Sequence, residues 1–503
     1  MFELRPEITL LVAKLYPMNR HFYFFVTSLL LAAEIIAQPL RLKLPRQINV
    51  PEYSHYAPSL SANGLTMIYA SNYYVTEGNS VDMKITRSKG VDNWGSGEDV
   101  TAVNKSGMLN LYGGHCISAD GNQIYFTSKK TGGVGNYDIW MTEKKGEVWA
   151  APQNIGKPVN STGSEGYPSL SSDGKFLYFT RCASMANSGC QDCKLFVSEG
   201  KPGFWKPAVE IQLNAHILYP RISKDGSSLI FSSNKAGGKG GYDLYQIKKQ
   251  GDKWSTPINL EFINTNADEI YADIPGQSDA ILYASKVDGY LTLFRAKLPE
   301  EFHPDKVILF TGKIPAVPAG TPAGFLQVSD NKTNAPVFIV KIESDGKIST
   351  ILPKGKSYDF AIISGNEKFY WSATYDATQL IRTQREEPEI TLDPLKKDVL
   401  FHGNKPLFDS TTYKVLPGNV LECKRLSKIF QTHPDWKAEF ILFPSGVSNN
   451  PPQDVEMAFE RMKGAIQPEL SNAGISPERI IFTNGSGRPE EEDSYVGWAV
   501  RFY

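Results

Sequence analysis

Four segments of this 503-residue chain repeat one pattern, and that repetition constrains the fold more than any other feature. They are HYAPSLSANGLTMIYAS from His55, GGHCISADGNQIYFTS from Gly113, YPSLSSDGKFLYFTR from Tyr167 and YPRISKDGSSLIFSS from Tyr219. Each is a short apolar strand, a turn ending in glycine, and a second strand dense in aromatic and β-branched residues. The Asn-Gly or Asp-Gly step favours a tight hairpin, since both turn residues tolerate positive φ. The turn glycines Gly64, Gly121, Gly174 and Gly226 are 57, 53 and 52 residues apart. A tryptophan follows each turn (Trp94, Trp149, Trp205, Trp254), and in three copies a proline-containing strand comes next (WAAPQNI, WKPAVEI, WSTPINL), followed by an asparagine near the link to the next copy. A fifth, eroded unit runs from Ile270, with Ser278-Asp279 where the turn belongs.

A repeat of about 50 residues holding four strands is the signature of a β-propeller blade. In KFLYFT both residue parities are apolar, so both faces of the strand need cover, which sheets stacked around an axis supply. The expectation is one closed propeller over residues 38–303, of five blades, or six if its ends are elaborated. The segment 38–50 (QPLRLKLPRQINV) is expected to close the ring with the last blade. The repeats, with the GNYDIW and GGYDLY segments that open the third strand, resemble the TolB-type, WD-like propeller repeat. That resemblance implies a fold and leaves function open, because propellers host many activities.

Charge is balanced, with 53 basic against 54 acidic residues, which gives no electrostatic reason to expect nucleic acid or an anionic membrane as partner. The N-terminus reads as an address. A basic start at Met18-Asn19-Arg20-His21 precedes an apolar core, Phe22 to Ala33, and Ala37-Gln38 offers a cleavage point. Residues 1–37 are therefore expected to be a signal peptide, with Met18 as the true start. A membrane anchor is the competing reading; against it, the apolar run is shorter than the roughly 18–20 residues of a spanning helix. The mature chain is expected in the periplasm, with no membrane-spanning segment, associated with the outer membrane through partners.

From Val307 the pattern changes to short alternating strands with turn signals, the pattern of a small β-sandwich over 304–392. Ser344-Asp345-Gly346-Lys347, Leu352-Pro353 and Gly355 to Tyr358 resemble the carboxypeptidase regulatory-like domain, which implies a spacer or interaction module. Residues 393–503 switch to mixed α and β. Val420, Cys423, Leu426 and Phe430 fall at helical spacing, a second helix spans Asp454 to Leu470 with a bend at Pro468, and Gly474 ends it. LFDSTTYKVLPGN and DVEMAFERMKGAIQPELSNAGISPERI resemble the OmpA-like peptidoglycan-binding domain in a degenerate form. Three such units in this order resemble periplasmic scaffold proteins of the Bacteroidota, including the component linking type IX secretion to peptidoglycan.

Chemistry has few footholds. None of the seven histidines forms an HxxxH or HxH pair, so no metal site or cofactor is expected. No GxSxG elbow exists, and no catalytic residue is assigned. The chain is expected not to be an enzyme. His115, at the start of an inner strand, reads as a core or channel residue. Cys182, Cys190 and Cys193 cluster within one blade, between its second and third strands, where clustered cysteines in an exported protein favour a disulfide; free thiols and a metal are the alternatives. Cys116 and Cys423 read as core. In the OmpA-like family an Asp and an Arg clamp the diaminopimelate of the peptidoglycan stem. Arg461 matches that Arg, the Asp position falls at Gly446, and the family's Asn becomes Asp454. The resemblance thus implies, at most, weak peptidoglycan binding through Arg461 and Asp454. The leading expectation is a non-enzymatic envelope scaffold that docks other proteins on its propeller. Peptidoglycan anchoring is the alternative, and an exported hydrolase or glycan-binding propeller a further one.

Overall fold

The computed structural model describes residues 41–503 apart from 78, 91–92, 107–113, 187–188, 236, 277–278, 315–323, 343–345, 364–368, 382, 403–405, 410, 445–451 and 487–496. The expected signal peptide and the turn at Ser278 lie outside the described residues, at least in part. No helix among those described is long and apolar enough to cross a membrane.

Five antiparallel sheets form the propeller. Their inner strands are His55–Leu60, His115–Ile117, Ser164–Leu170, Leu218–Ile222 and Glu269–Asp273. Each is followed outward by its hairpin partner, a third strand, and an outer strand of only two residues such as Glu98–Asp99 or Gln153–Asn154. The hairpin glycines Gly64, Gly121, Gly174 and Gly226 all have φ between 68° and 80°, which the tight turn requires. The middle strands are apolar on both sides: Leu177 and Tyr178, Leu229 and Ile230, and Ile281 and Leu282, which point to opposite faces, are all buried between neighbouring sheets.

The last blade lacks an outer strand of its own, and the N-terminus provides it. Leu42–Lys43 pairs antiparallel with Tyr290–Lys297, Leu42 opposite Arg295 and Lys43 opposite Phe294. A side-chain clamp repeats with the blades and explains this closure. The Asn104 amide bonds both the N–H and C=O of Met83, at 2.9 and 3.1 Å. Asn160 does the same to Ile139 and Asn264 to Leu244, each at 2.9 Å. In the last blade the clamp on Leu293 is Asn49, at 3.0 and 2.9 Å, from the opposite end of the chain. One repeat is therefore split between the two ends of the domain, and its asparagine still finds its slot.

A β-sandwich follows. Lys347–Pro353, Val307–Lys313 and Gln384–Glu386 form one sheet; Pro336–Lys341, Phe325–Asp330, Ser357–Ile363, Phe369–Asp376 and Asp393–Pro394 form the other. Phe310, Phe360, Leu352 and Tyr358 fill the space between them, and the Tyr358 hydroxyl donates to the Pro353 carbonyl at 2.7 Å. The C-terminal unit is a four-stranded sheet ordered Leu400–His402, Trp498–Phe502, Ala438–Leu442, Ile480–Asn484, with two helices, α1 (Val420–Thr432) and α2 (Pro452–Asn472). Leu426 and Phe430 of α1 and Met462 and Ile466 of α2 pack with Phe440, Leu442 and Val500 in one core. The α2 helix runs on through Pro468 to Asn472, two residues beyond the expected end, and Gly474 follows at φ 92°.

Candidate functional site

The propeller has two unlike ends. One carries the tight hairpins that join first to second strands; the other carries the loops joining second to third strands. The sandwich sits on the hairpin end: Ala62 and Ala119 pack with Val307, Leu309 and Ile351, and the Asp305 amide donates to Asp225 at 2.6 Å. The loop end faces away from the sandwich.

The axis itself is filled. In four inner strands the ladder slips by a bulge, between Tyr56 and Ser59, Gly166 and Ser169, Leu218 and Arg221, and Ile270 and Asp273. At or next to each slip one residue adopts left-handed φ: Ala57 at 53°, and Tyr167, Tyr219 and Tyr271 each at 55°. Non-glycine residues adopt this conformation only where the surroundings enforce it. Three of the four are tyrosines, and their rings meet on the axis: Tyr167 with Tyr219 at 4.7 Å, Tyr219 with Tyr271 at 3.8 Å, and Tyr271 with Tyr56 at 5.3 Å. The recurrence of tyrosine at one repeat position was the signal in the sequence that these residues share a place.

Toward the sandwich the axis turns polar. Asp273 accepts from the Leu60 amide at 2.9 Å and lies 3.6 Å from Lys224 Nζ, which itself donates to the Leu60 carbonyl at 2.8 Å. Arg221 donates to the His115 carbonyl at 3.0 Å. These bonds tie the first, second, fourth and fifth blades to one another. Burial pushes the Lys224 ammonium below its ordinary range, with Asp273 pulling it back. Burial, with Arg221 beside it, pushes His115 down to about 3, so the ring is neutral. His115 is a packed residue of the axis.

On the loop end, three blades share one device. A buried aspartate at the start of the third strand gathers the loop amides: Asp82 accepts from Thr76 at 2.6 Å, Asp138 from Val134 at 2.5 Å, and Asp243 from Lys239 at 2.7 Å. The loop glycines are required here, since a Cβ on Gly133 or Gly238 would lie 2.1 or 1.9 Å from the carboxylate. The third blade departs from the pattern. Lys194 occupies the aspartate's register position, opposite Arg181, and the loop is a small hairpin of Ser184–Ala186 and Gly189–Gln191. Cys182 and Cys193 are joined by a disulfide across its base, and Cys190 is a free thiol 2.9 Å from the Tyr167 hydroxyl. A covalent staple thus stands where the other blades use an aspartate. Cys116 and Cys423 are buried.

Beside this, the loop end carries an aromatic patch. Tyr53 and Tyr73 meet edge-on at 4.9 Å, and Tyr73 and Tyr74 at 4.3 Å. Tyr74 is 78% exposed, and Tyr53, Val75 and Tyr290 are exposed with it. A cleft of about 430 Å³ opens next to them, lined by Arg46, Glu52, Tyr53, His55, Asp288 and Tyr290 among others.

In the C-terminal unit, Asp454 and Arg461 both lie exposed on α2, seven residues and about 10 Å apart along the axis. The Arg461 guanidinium rests 3.7 Å from the Met457 sulfur, without an acidic partner among the described residues. Gly446, where the clamp's aspartate is expected, lies outside the described residues. A feature the sequence did not reveal is a buried network that joins this unit to the sandwich through Arg425, Glu422, Asp359 and Tyr370.

These features define a multidomain, mainly β protein built on a five-bladed propeller. No family model and no curated protein sequence matches the chain. Solved structures similar to it include a TolB-type protein from Agrobacterium tumefaciens, 14% identical over 62% of this chain and 96% of that one, with a TM-score of 0.31. TolB from Acinetobacter baumannii is 13% identical over 48% of this chain and 54% of that one, TM-score 0.28. An endo-arabinase from Bacteroides thetaiotaomicron is 13% identical over 49% of this chain and 94% of that one, TM-score 0.36. At such scores the likeness carries no argument about activity, and the propeller rests on the strand pairing described above.

Proposed function

We propose that the protein is a non-enzymatic scaffold of the cell envelope that docks another protein on the loop end of its propeller. The observation that carries this reading is the patch of Tyr53, Tyr73, Tyr74, Val75 and Tyr290 on the end left free by the sandwich. Clustered, exposed tyrosines are the residues on which protein interfaces concentrate their energy, because a large rigid ring is buried at little entropic cost. The tyrosine-filled axis supports the same reading, since ring contacts occupy the place where a channel-borne substrate would sit. A disulfide between Cys182 and Cys193 fits an oxidising compartment, in accord with the expected signal peptide and a periplasmic location. The test is co-purification from native envelopes. A Tyr73→Ala/Tyr74→Ala chain with unchanged circular dichroism is expected to lose the partner that the unaltered chain retains. Equal recovery by both would end this reading.

A second reading is peptidoglycan anchoring through the C-terminal unit, of the OmpA-like kind and linked to type IX secretion. It is favoured by Arg461, exposed on the same face of α2 as Asp454 and without an acidic partner among the described residues. Co-sedimentation with purified sacculus separates it from the first.

A further inference from the structure

We propose that Cys190 and the Cys182–Cys193 bond form a thiol–disulfide exchange site, at which the disulfide migrates to a Cys190–Cys193 pair and frees Cys182. Four observations lead there. The three sulfurs all lie within 4.8 Å of one another, so the thiol needs no large movement to reach the bond. The hairpin sets this distance by pairing Met185 with Cys190 and Ser184 with Gln191, which folds the thiol back over the base of the loop. Cys190, Gln191, Asp192 and Cys193 form a Cys-x-x-Cys sequence, the short spacing whose disulfides are the exchangeable ones in redox proteins. The Tyr167 hydroxyl at 2.9 Å is placed to donate to the sulfur as it becomes a thiolate. Burial raises the Cys190 thiol and the contact with Tyr167 draws it back down.

The chemistry balances within the loop. Cys190 gives its proton to water, and its sulfur forms a bond to Cys193 Sγ. The Cys182–Cys193 bond breaks with its electron pair on Cys182, which then takes up a proton. One disulfide and one thiol are present before and after, so neither an oxidant nor a reductant is consumed. Such exchange is fast when attacking and attacked sulfurs are held together, because the encounter is intramolecular. Its effect is local: the staple between Cys182, at the end of the second strand, and Cys193, beside the third, is released while a short ring closes within the hairpin.

The experiment is a brief N-ethylmaleimide pulse on the folded, full-length protein, followed by mapping. Trypsin releases all three cysteines in one peptide, from Cys182 to Lys194, so cleavage before Asp192 and at Met185 is needed to part them. The site predicts label on Cys182 at no less than about a tenth of that on Cys190. It also predicts that the Cys190→Ser variant loses that Cys182 label, and that a folded Cys182→Ser variant incubated with oxidised glutathione, the two-electron oxidant, forms a Cys190–Cys193 bond. Label on Cys182 below that tenth, or two free thiols in Cys182→Ser after that incubation, would overturn the proposal.

Discussion

Arg425 of α1 and Asp359 of the sandwich strand Ser357–Ile363 form a two-pronged ion pair with 7% and 0% of their side chains exposed. The same guanidinium lies 3.0 Å from Glu422, whose second oxygen takes the Tyr370 hydroxyl. One cation thus serves two buried carboxylates, and the remaining acceptor is met by a neutral donor from the sandwich. The C-terminal unit is therefore keyed to the sandwich rather than tethered to it.

Removing one partner from a buried pair leaves a desolvated charge behind, at a cost of about 3–5 kcal/mol. Arg425→Ala is expected to destabilise the C-terminal unit by that amount and to split urea unfolding into two transitions. Arg425→Lys is expected to recover only part of the loss, because an ammonium cannot reproduce the two-pronged geometry. A single transition with an unchanged midpoint in Arg425→Ala would contradict the account.

Ring closure rests on Asn49 as much as on the two residues of Leu42–Lys43. The Asn49 amide satisfies the backbone of Leu293, so Asn49→Ala leaves a donor and an acceptor unmet and is expected to cost about 1–3 kcal/mol. Asn264→Ala, which performs the same task within the chain's own fourth blade, should cost as much. Denaturant midpoints of the two variants test this. A chain lacking residues 41–49 exposes the edge of Tyr290–Lys297 and is expected to aggregate.

Acid should weaken the propeller well above the carboxylate range. His115 and His55 are held neutral by burial, pushed from 6.5 to about 3 and about 4. Both shifts are downward, so the unfolded chain binds the proton first as pH falls. The stability is fully present above about 6.5 and is lost as pH drops toward 4 and 3. Below 6.5 each ring contributes a slope of about 1.4 kcal/mol per pH unit. Stability measured at pH 6 and pH 5 should fall less steeply in His115→Asn than in the unaltered chain.

Much of this architecture was readable in the sequence. The hairpin glycines recur because each blade solves the same backbone problem, and Asn160 and Asn264, after their Pro-containing strands, recur as clamps, whereas Asn214 at the matching place in the third blade is exposed. The part hidden from the sequence is what arises only when repeats meet. Nothing in the run VLECKRLSKIF marks Arg425 and Glu422 as buried, since a charged pair on a helix is normally solvated; the sandwich that covers them lies some sixty residues upstream. The sequence likewise left the pairing among Cys182, Cys190 and Cys193 open, because distance along the hairpin does not decide which sulfurs face each other.

In the C-terminal unit, Arg461 has no acidic partner among the described residues. A charge-assisted pair is worth on the order of 1.5–3 kcal/mol, so half a clamp forfeits roughly ten- to a hundredfold in affinity. Arg461→Ala is expected to change sacculus co-sedimentation by less than about twofold. Tight binding by the unaltered protein, abolished in Arg461→Ala, would move the weight of the account to peptidoglycan anchoring.

The central claim is that the loop end of the propeller is the docking surface. The most direct measurement places a photo-crosslinking residue at Val75, which is exposed beside Tyr73 and Tyr74, and irradiates cells producing the full-length chain. The predicted result is one discrete protein adduct that disappears when Tyr73 and Tyr74 are replaced by alanine, while a crosslinker at Val209, exposed on an outer strand, gives none. No adduct at Val75, or an adduct unaffected by the two alanines, would contradict it.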